Sequence, residues 1–308
     1  MSSLKSMFWW KLTFAASTES EESLLWKLDD LGINRVAVQF SPEEPDQRTF
    51  FAWLPSVEWT KPQRKQLTDS LNLFSKGFRL SIAYFSWERI EEEDWSKSWK
   101  QYWQPDLVGQ QLLILPAWLD VPKEYSHRIV LRLDPGSAFG TGSHPTTRLC
   151  LEALEKSPPF DLRVADLGCG SGILSLAALR LGAKEVFAVD TDLLAVRSSV
   201  ENFQLNMAKN GCFSVFLGSV DELKDRLKGK SIDLVLCNIL APVIEKLAPS
   251  FNEFISPDGR AILSGLLVEQ VPRLKKIFLS LGWEVNNCLE QDQWALLEIT
   301  KQNTILHN

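Results

Sequence analysis

The residues best suited to chemistry stand in one short run, Asp166-Leu-Gly-Cys-Gly-Ser-Gly172, with an acid, Asp190, downstream of it. Glycine takes positive φ freely and lets a ligand approach the backbone. A glycine loop that opens a helix turns bare N–H groups toward an anion. Spacing then narrows the ligand. A dinucleotide site reads G-x-G-x-x-G; Gly168 and Gly170 fit that pattern, but its third position here is Ile173. The chain has D-x-G-x-G-x-G instead. Asp190 lies twenty-two residues beyond Gly168, where a carboxylate can accept hydrogen bonds from ribose hydroxyls. Cys169 sits inside the loop, but no histidine is near it in sequence, and a small side chain suits the turn.

These residues need a scaffold, and the flanking pattern predicts one. A strand over Leu162–Ala165, a helix over Ile173–Leu181 and a strand over Glu185–Val189 make the opening unit of a doubly wound sheet. A helix over Leu193–Met207, a strand near Phe213–Leu217, a polar helix around Asp221–Lys228 and an apolar strand over Ile232–Cys237 follow. Ala241–Phe254 reads as a helix interrupted early by Pro242, and Pro257-Asp-Gly259 as a turn into a strand over Arg260–Ser264. A helix over Glu269–Leu281 precedes an antiparallel hairpin of Trp283–Cys288 and Trp294–Ile299. Short apolar strands alternating with helices imply a mostly parallel sheet covered on both faces.

Upstream the order is strand, helix, strand, strand, helix, strand. Phe8, Trp10, Leu12 and Phe14 alternate as on a half-buried strand, although the run could be mistaken for a signal peptide. Thr18 and Glu21 have capping-box spacing ahead of Leu24, Leu25, Leu28 and Leu31, with Gly32 as a stop. Strands over Ile33–Phe40 and Thr49–Leu54 flank a proline-rich turn, Ser41–Pro45. Thr60 and Pro62 open a helix carrying Leu67, Leu71 and Phe74, which Gly77 closes before a strand over Arg79–Phe85. This is the ferredoxin-like arrangement, a fold that by itself specifies no chemistry.

Between the two regions, Trp95, Trp99 and Trp103 lie four apart on one helical face. They form either a packing seam or a platform for a protein substrate. Glu91–Glu93 reads as a solvated helix start or a charged hinge. The expected division is a leading domain over 1–88, a linker helix over 89–106, a larger domain over 107–301 and a tail over 302–308. Leu112–Leu115 and Arg128–Leu133 are short strands at the entry to the larger domain.

The bulk numbers exclude several functions. A length of 308 residues suits two domains. A net charge of −6 argues against holding duplex nucleic acid by phosphate neutralisation. No apolar run reaches the roughly 18 residues of a membrane span; Leu112–Leu119 is broken by Pro116. Cys150, Cys169, Cys212, Cys237 and Cys288 form no C-x-x-C pair, the pattern of reduced thiols in a cytoplasmic protein. His127, His144 and His307 have no metal-ligand spacing, so no metal is expected.

The D-x-G-x-G-x-G loop resembles the first motif of class I methyltransferases, whose ligand S-adenosylmethionine carries a ribose but no pyrophosphate. Two further stretches narrow the class. One is Leu133-Asp-Pro-Gly-Ser-Ala-Phe-Gly-Thr-Gly-Ser-His-Pro-Thr-Thr147; the other is Asn238-Ile-Leu-Ala241, at a strand end. With Asp94-Trp95, Trp99 and Pro105 they resemble the family that methylates large-subunit ribosomal protein eleven (the PrmA family), over about Asp94 to Ile299. The resemblance implies an α/β protein: a seven-stranded, mostly parallel Rossmann-like methyltransferase domain behind a ferredoxin-like domain that grips the substrate. It implies transfer of methyl groups from S-adenosylmethionine to lysine side chains and the N-terminal amine of that ribosomal protein. The family's cofactor contacts fall on Thr147, Gly168, Asp190 and Asn238, and Gly170 belongs to the same loop. Asn238, beside the expected site of methyl transfer, can orient either reactant.

Thr147 as a helix-start hydroxyl and Asn238 as a turn former are the plainer alternatives. His144 reads either as a base or as a loop anchor, and orientation with desolvation is expected to dominate catalysis. A cytoplasmic monomer that binds neither nucleic acid nor membrane is expected. The competing functions are a methyltransferase for another protein's lysines or for a nucleobase amine, and a docking factor without catalysis. Against the nucleobase, adenine methyltransferases carry N-P-P-Y where this chain has Asn238-Ile-Leu-Ala, without the aromatic that stacks on a flipped base.

Overall fold

Two units make up the chain, Met1–Gln104 and Pro105–Asn308. The computed structural model describes residues 8–33, 35–41, 44–77, 82–91, 103–134, 142, 144–206 and 211–302. Trp95, Trp99, Glu92, Glu93, most of the segment 135–143 and the tail from 303 lie outside those residues.

In the leading unit the order is β1 (Phe8–Ser17), α1 (Glu21–Asp30), β2 (Val36–Ser41), β3 (Glu44–Pro55), α2 (Lys61–Gly77) and β4 (Ile82–Glu91). The sheet runs β2-β3-β1-β4 with every neighbouring pair antiparallel, which is the expected β-α-β-β-α-β topology. Alternation explains its core. Leu12, Phe14, Phe50, Ala52 and Leu54 turn toward Leu24 and Leu28 of α1 and Leu67 and Leu71 of α2. Each large apolar side chain so buried contributes about 1.5–3 kcal/mol.

Three local expectations fail here. Thr18–Ser20 form a single 3-10 turn and α1 starts at Glu21, whose carboxylate reaches across to Arg48 at 3.1 Å instead of closing a capping box. Strand β3 starts at Glu44, five residues before the expected Thr49. Its ladder to β1 begins only at Gln47, so the N–H missing from Pro45 removes no bond from that ladder. Strand β4 runs on to Glu91, into residues expected to belong to the linker helix.

The second unit opens with a small sheet, β5 (Asp106–Val108), β6 (Leu112–Pro116) and β7 (Ile129–Leu133). Strand β5 is too short to show periodicity. Arg148 fastens it, bonding both oxygens of Asp106 at 2.9 Å and the carbonyl of Leu107 at 2.7 Å.

The main sheet follows. Its elements are α3 (Pro145–Lys156), β8 (Arg163–Leu167), α4 (Ile173–Arg180), β9 (Glu185–Asp190), α5 (Leu193–Asn206), β10 (Phe213–Leu217), α6 (Val220–Leu227) and β11 (Ile232–Asn238). Then come α7 (Ala241–Leu247), α8 (Phe251–Phe254), β12 (Ile255–Leu267), α9 (Val271–Ser280), β13 (Trp283–Gln291) and β14 (Trp294–Lys301). Strand order is β10-β9-β8-β11-β12-β14-β13, parallel except that β14 runs against both its neighbours. Val164, Val186, Leu234, Leu236 and Ile262 face α3 and α4. Ala165, Leu167, Phe187, Val235 and Leu263 face α6 to α9. Both faces are covered, which is why these strands are apolar throughout.

Prolines account for several of the remaining differences. Pro242 sits in the first turn of α7, where its missing N–H removes no helical bond. The break comes at the 3-10 turn Ala248–Ser250, around Pro249. Pro257-Asp-Gly259 does not precede β12 but lies within it, as extra residues between the pairs Ile232–Ile255 and Leu234–Arg260. Among the described residues no helix is long and apolar enough to cross a membrane.

Candidate functional site

Strand order reverses between β8 and β11, so a crevice opens beyond their carboxyl ends, where ligands bind in such sheets. The chain leaves β8 through Gly168, Gly170 and Gly172, at φ 72°, 53° and 80°, and enters α4. Two positions require glycine for space as well as for φ. A Cβ at Gly168 would lie 2.3 Å from Cγ2 of Ile239, and one at Gly172 would lie 2.9 Å from Oγ of Ser199.

Backbone bonds fix the corner to β9. The N–H groups of Gly168 and Cys169 donate to the carbonyl of Val189 at 2.9 and 3.2 Å. Asp190 comes next, and its Oδ2 accepts from the N–H of Gly170 at 2.9 Å. Its Oδ1 accepts from the N–H of Asp192, also at 2.9 Å. The acid and the loop identified by spacing are therefore bonded to each other.

Thr147 and Asn238 meet as well. Thr147 is buried in the first turn of α3, and Asn238 ends β11. Nδ2 of Asn238 donates to Oγ1 of Thr147 at 3.2 Å, across 91 residues of sequence. Ile239 packs against Gly168 and joins this pair to the glycine corner. All five residues singled out from the sequence thus gather at one end of the sheet.

His144 precedes them as the N-cap of α3. Its Nδ1 accepts from the N–H of Thr146 at 3.3 Å and lies 2.7 Å from the Thr146 hydroxyl, while its ring meets Trp294 edge-on at 4.8 Å. Burial lowers its pKa to about 4, so the ring is neutral at pH 7. This is the loop-anchoring alternative.

Sequence reasoning gave two groups no role. Asp166 is fully buried beneath the corner; its Oδ2 accepts from the N–H and hydroxyl of Ser175 at 3.1 and 2.6 Å, and its Oδ1 has no partner among the described residues. Burial pushes its carboxyl up to about 7, with nearby Asp190 adding to the effect against the Ser175 bonds. The second group lies on the inner face of α5: Ser199 and Asn202, each bonded to a carbonyl of the corner. Leu193, Leu194, Val200 and Leu205 are exposed while Ser198, Ser199 and Asn202 are buried beside Ala195 and Phe203, so this helix turns polar residues inward and its apolar spacing gave no signal of it.

A doubly wound sheet of this order, with a glycine corner and an acid at its switch point, is that of class I, S-adenosylmethionine-dependent methyltransferases. Comparison with known proteins identifies the branch. The family model of ribosomal protein L11 methyltransferase (PrmA) matches residues 8–302, and the chain belongs to that family. It is 56% identical over 294 residues to a ribosomal protein L11 methyltransferase of Prochlorococcus marinus (strain MIT 9313), covering 96% of this chain and 97% of the relative. It is 57% identical over 288 residues to that of Parasynechococcus marenigrum (strain WH8102), covering 94% and 100%. Among solved structures it resembles the ribosomal protein L11 methylase of Lactobacillus delbrueckii subsp. bulgaricus at 31% identity and a TM-score of 0.60, covering 65% of this chain and all of that one. The family match takes in the leading unit too, beyond the stretch over which the sequence alone suggested it.

The residues present fit S-adenosylmethionine. Glycines 168, 170 and 172 hold the positive φ that the corner needs, and α4 starts there with its N–H groups. Among the described residues each oxygen of Asp190 accepts one bond, which leaves it capacity for a diol. Thr147 and Asn238 supply a hydroxyl and an amide.

Proposed function

We propose that this chain transfers methyl groups from S-adenosylmethionine to amino groups of ribosomal protein L11, on lysine side chains and the N-terminal amine. Family membership along both units supports the substrate. The observation that carries the reading is the bonding of Asp190 to the glycine corner beside the Asn238–Thr147 pair. The amides of the corner and the first turn of α4 take the cofactor's carboxylate, Asp190 its ribose, and Thr147 its methionine end; Asn238 orients the reactants. The leading unit presents the substrate.

When bound, the cofactor supplies a methyl group on a cationic sulfonium. The residues' task is to bring a neutral amine in line with it. A lysine near pKa ~10.4 costs about 4–5 kcal/mol to deprotonate at pH 7, an N-terminal amine near ~8 about 1.4. A dry site beside a positive charge lowers that pKa without a dedicated base, and His144, tied up as a helix cap, is not needed as one. The net charge of −6 suits a basic protein better than nucleic acid, and the five free thiols suit the cytoplasm. A monomer is the proposed form, checked by light scattering.

Incubation with labelled S-adenosylmethionine and purified ribosomal proteins, followed by mass spectrometry, tests the reading. Methylated amines on L11 are expected. Label on another protein or on RNA, or no label at all, would overturn it.

A further inference from the structure

Helix α5 touches two parts of the site through one carboxamide. Asn202 has no exposed surface. Its Oδ1 accepts from the N–H of Asp134, just past the end of β7, at 2.8 Å, and its Nδ2 donates to the carbonyl of Ser171 in the glycine corner at 2.9 Å. One turn on, Asn206 does something different. Its Oδ1 accepts from the N–H of Arg132 at 2.7 Å, and its Nδ2 donates to that residue's carbonyl at 2.6 Å and to the backbone carbonyl of Asn202 at 2.7 Å, so it extends the edge of β7 and makes no bond to the corner. Ser199, on the same face, donates to the carbonyl of Gly170 at 2.9 Å. A carboxamide carries a donor and an acceptor side by side. Aspartate in its place would point an oxygen at the Ser171 carbonyl.

We propose that Asn202 is a positioning residue for S-adenosylmethionine, fastening the strand end at Asp134 to the carbonyl of Ser171 and so fixing the peptide units from which α4 begins. Asn202 is buried and acts only through these neighbours. The inference rests on the glycine corner being the cofactor's cradle.

Calorimetry with S-adenosylmethionine on the full chain tests it, using wild type, Asn202→Asp, Asn206→Ala and Gly168→Val. Asn202→Asp is expected to raise Kd about tenfold or more with the KM for the protein substrate unchanged. Asn206→Ala is expected to lower Tm with Kd within twofold of wild type. Binding by Asn202→Asp within twofold of wild type, or equal weakening by both asparagine variants, would overturn the proposal. If Asn202→Asp does not fold, hydrogen exchange in wild type decides. Saturating cofactor must then protect the Asp134 amide together with those of the corner, and protection of the corner alone refutes the tether. Tight binding by Gly168→Val would instead remove the cradle assignment itself, a separate failure.

Discussion

Replacing Asp166 with asparagine should make this protein more stable at pH 8. The carboxyl is fully buried, accepts two hydrogen bonds from Ser175 on one oxygen and, among the described residues, has no partner on the other. Burial raises its pKa from 3.8 to about 7, so the folded protein holds this proton more tightly than the unfolded chain does. Its contribution is therefore most favourable below about pH 4. It declines as pH rises toward 7, and above that the folded state carries the whole penalty of a buried charge. The gap between 3.8 and about 7 corresponds to about 4 kcal/mol. Asparagine keeps the acceptor for Ser175 and never ionises, but it leaves an N–H2 group unsatisfied, at about 1–3 kcal/mol. The net gain at pH 8 is then about 1–3 kcal/mol. Urea melts of both proteins at pH 5, 6, 7 and 8 measure it. Wild type should lose stability relative to the variant across that range. Parallel pH profiles, or a variant less stable than wild type at pH 8, would refute the burial argument.

Other perturbations separate the roles of the neighbouring residues. Thr147→Val removes the acceptor for Nδ2 of Asn238 and should weaken cofactor binding by about 5–30-fold, the equivalent of 1–2 kcal/mol, as read by calorimetry. His144→Ala loses a helix cap, so Tm should report about 1 kcal/mol of destabilisation while single-turnover methylation keeps its rate. A hundredfold drop in that rate at unchanged Tm would restore His144 as a base. Gly168→Ala combines positive φ with a Cβ 2.3 Å from Ile239. Strain and overpacking should together cost about 2–4 kcal/mol in denaturant melts and weaken cofactor binding, whereas an unchanged melting curve would show that Ile239 yields freely.

Local chemistry made much of this legible in advance. The glycine corner, Asp190 and the apolar strands Val164–Leu167 and Ile232–Cys237 announce themselves because backbone geometry and two-sided burial dictate residue type directly. The ferredoxin-like order of the leading unit was readable from alternation in Phe8–Phe14 and from the Leu24–Leu31 face. What stayed hidden depends on partners far away in sequence. The cap expected from Thr18 and Glu21 was lost because Arg48, on another strand, drew Glu21 away. The three residues of β5 exist because Arg148 holds them. Asp166 was visible as a letter of the motif, yet only the fold reveals that one of its oxygens lacks a partner among the described residues. The inward polar face of α5 contradicts the ordinary expectation for a helix packed on a sheet, which is why apolar periodicity could not find it.

The double bonding of Asp190 has a thermodynamic consequence. A carboxylate restrained by Gly170 on one oxygen and Asp192 on the other has its rotamer chosen before anything arrives. Freezing a free side chain on association opposes binding by about 0.5–1.5 kcal/mol; here that ordering is completed during folding. A guest with two adjacent hydroxyls would meet a rigid fork rather than a swinging one. The same rigidity makes the position an unforgiving one for mutation, because a shorter side chain would free the Gly170 peptide at the moment it removed the acceptor.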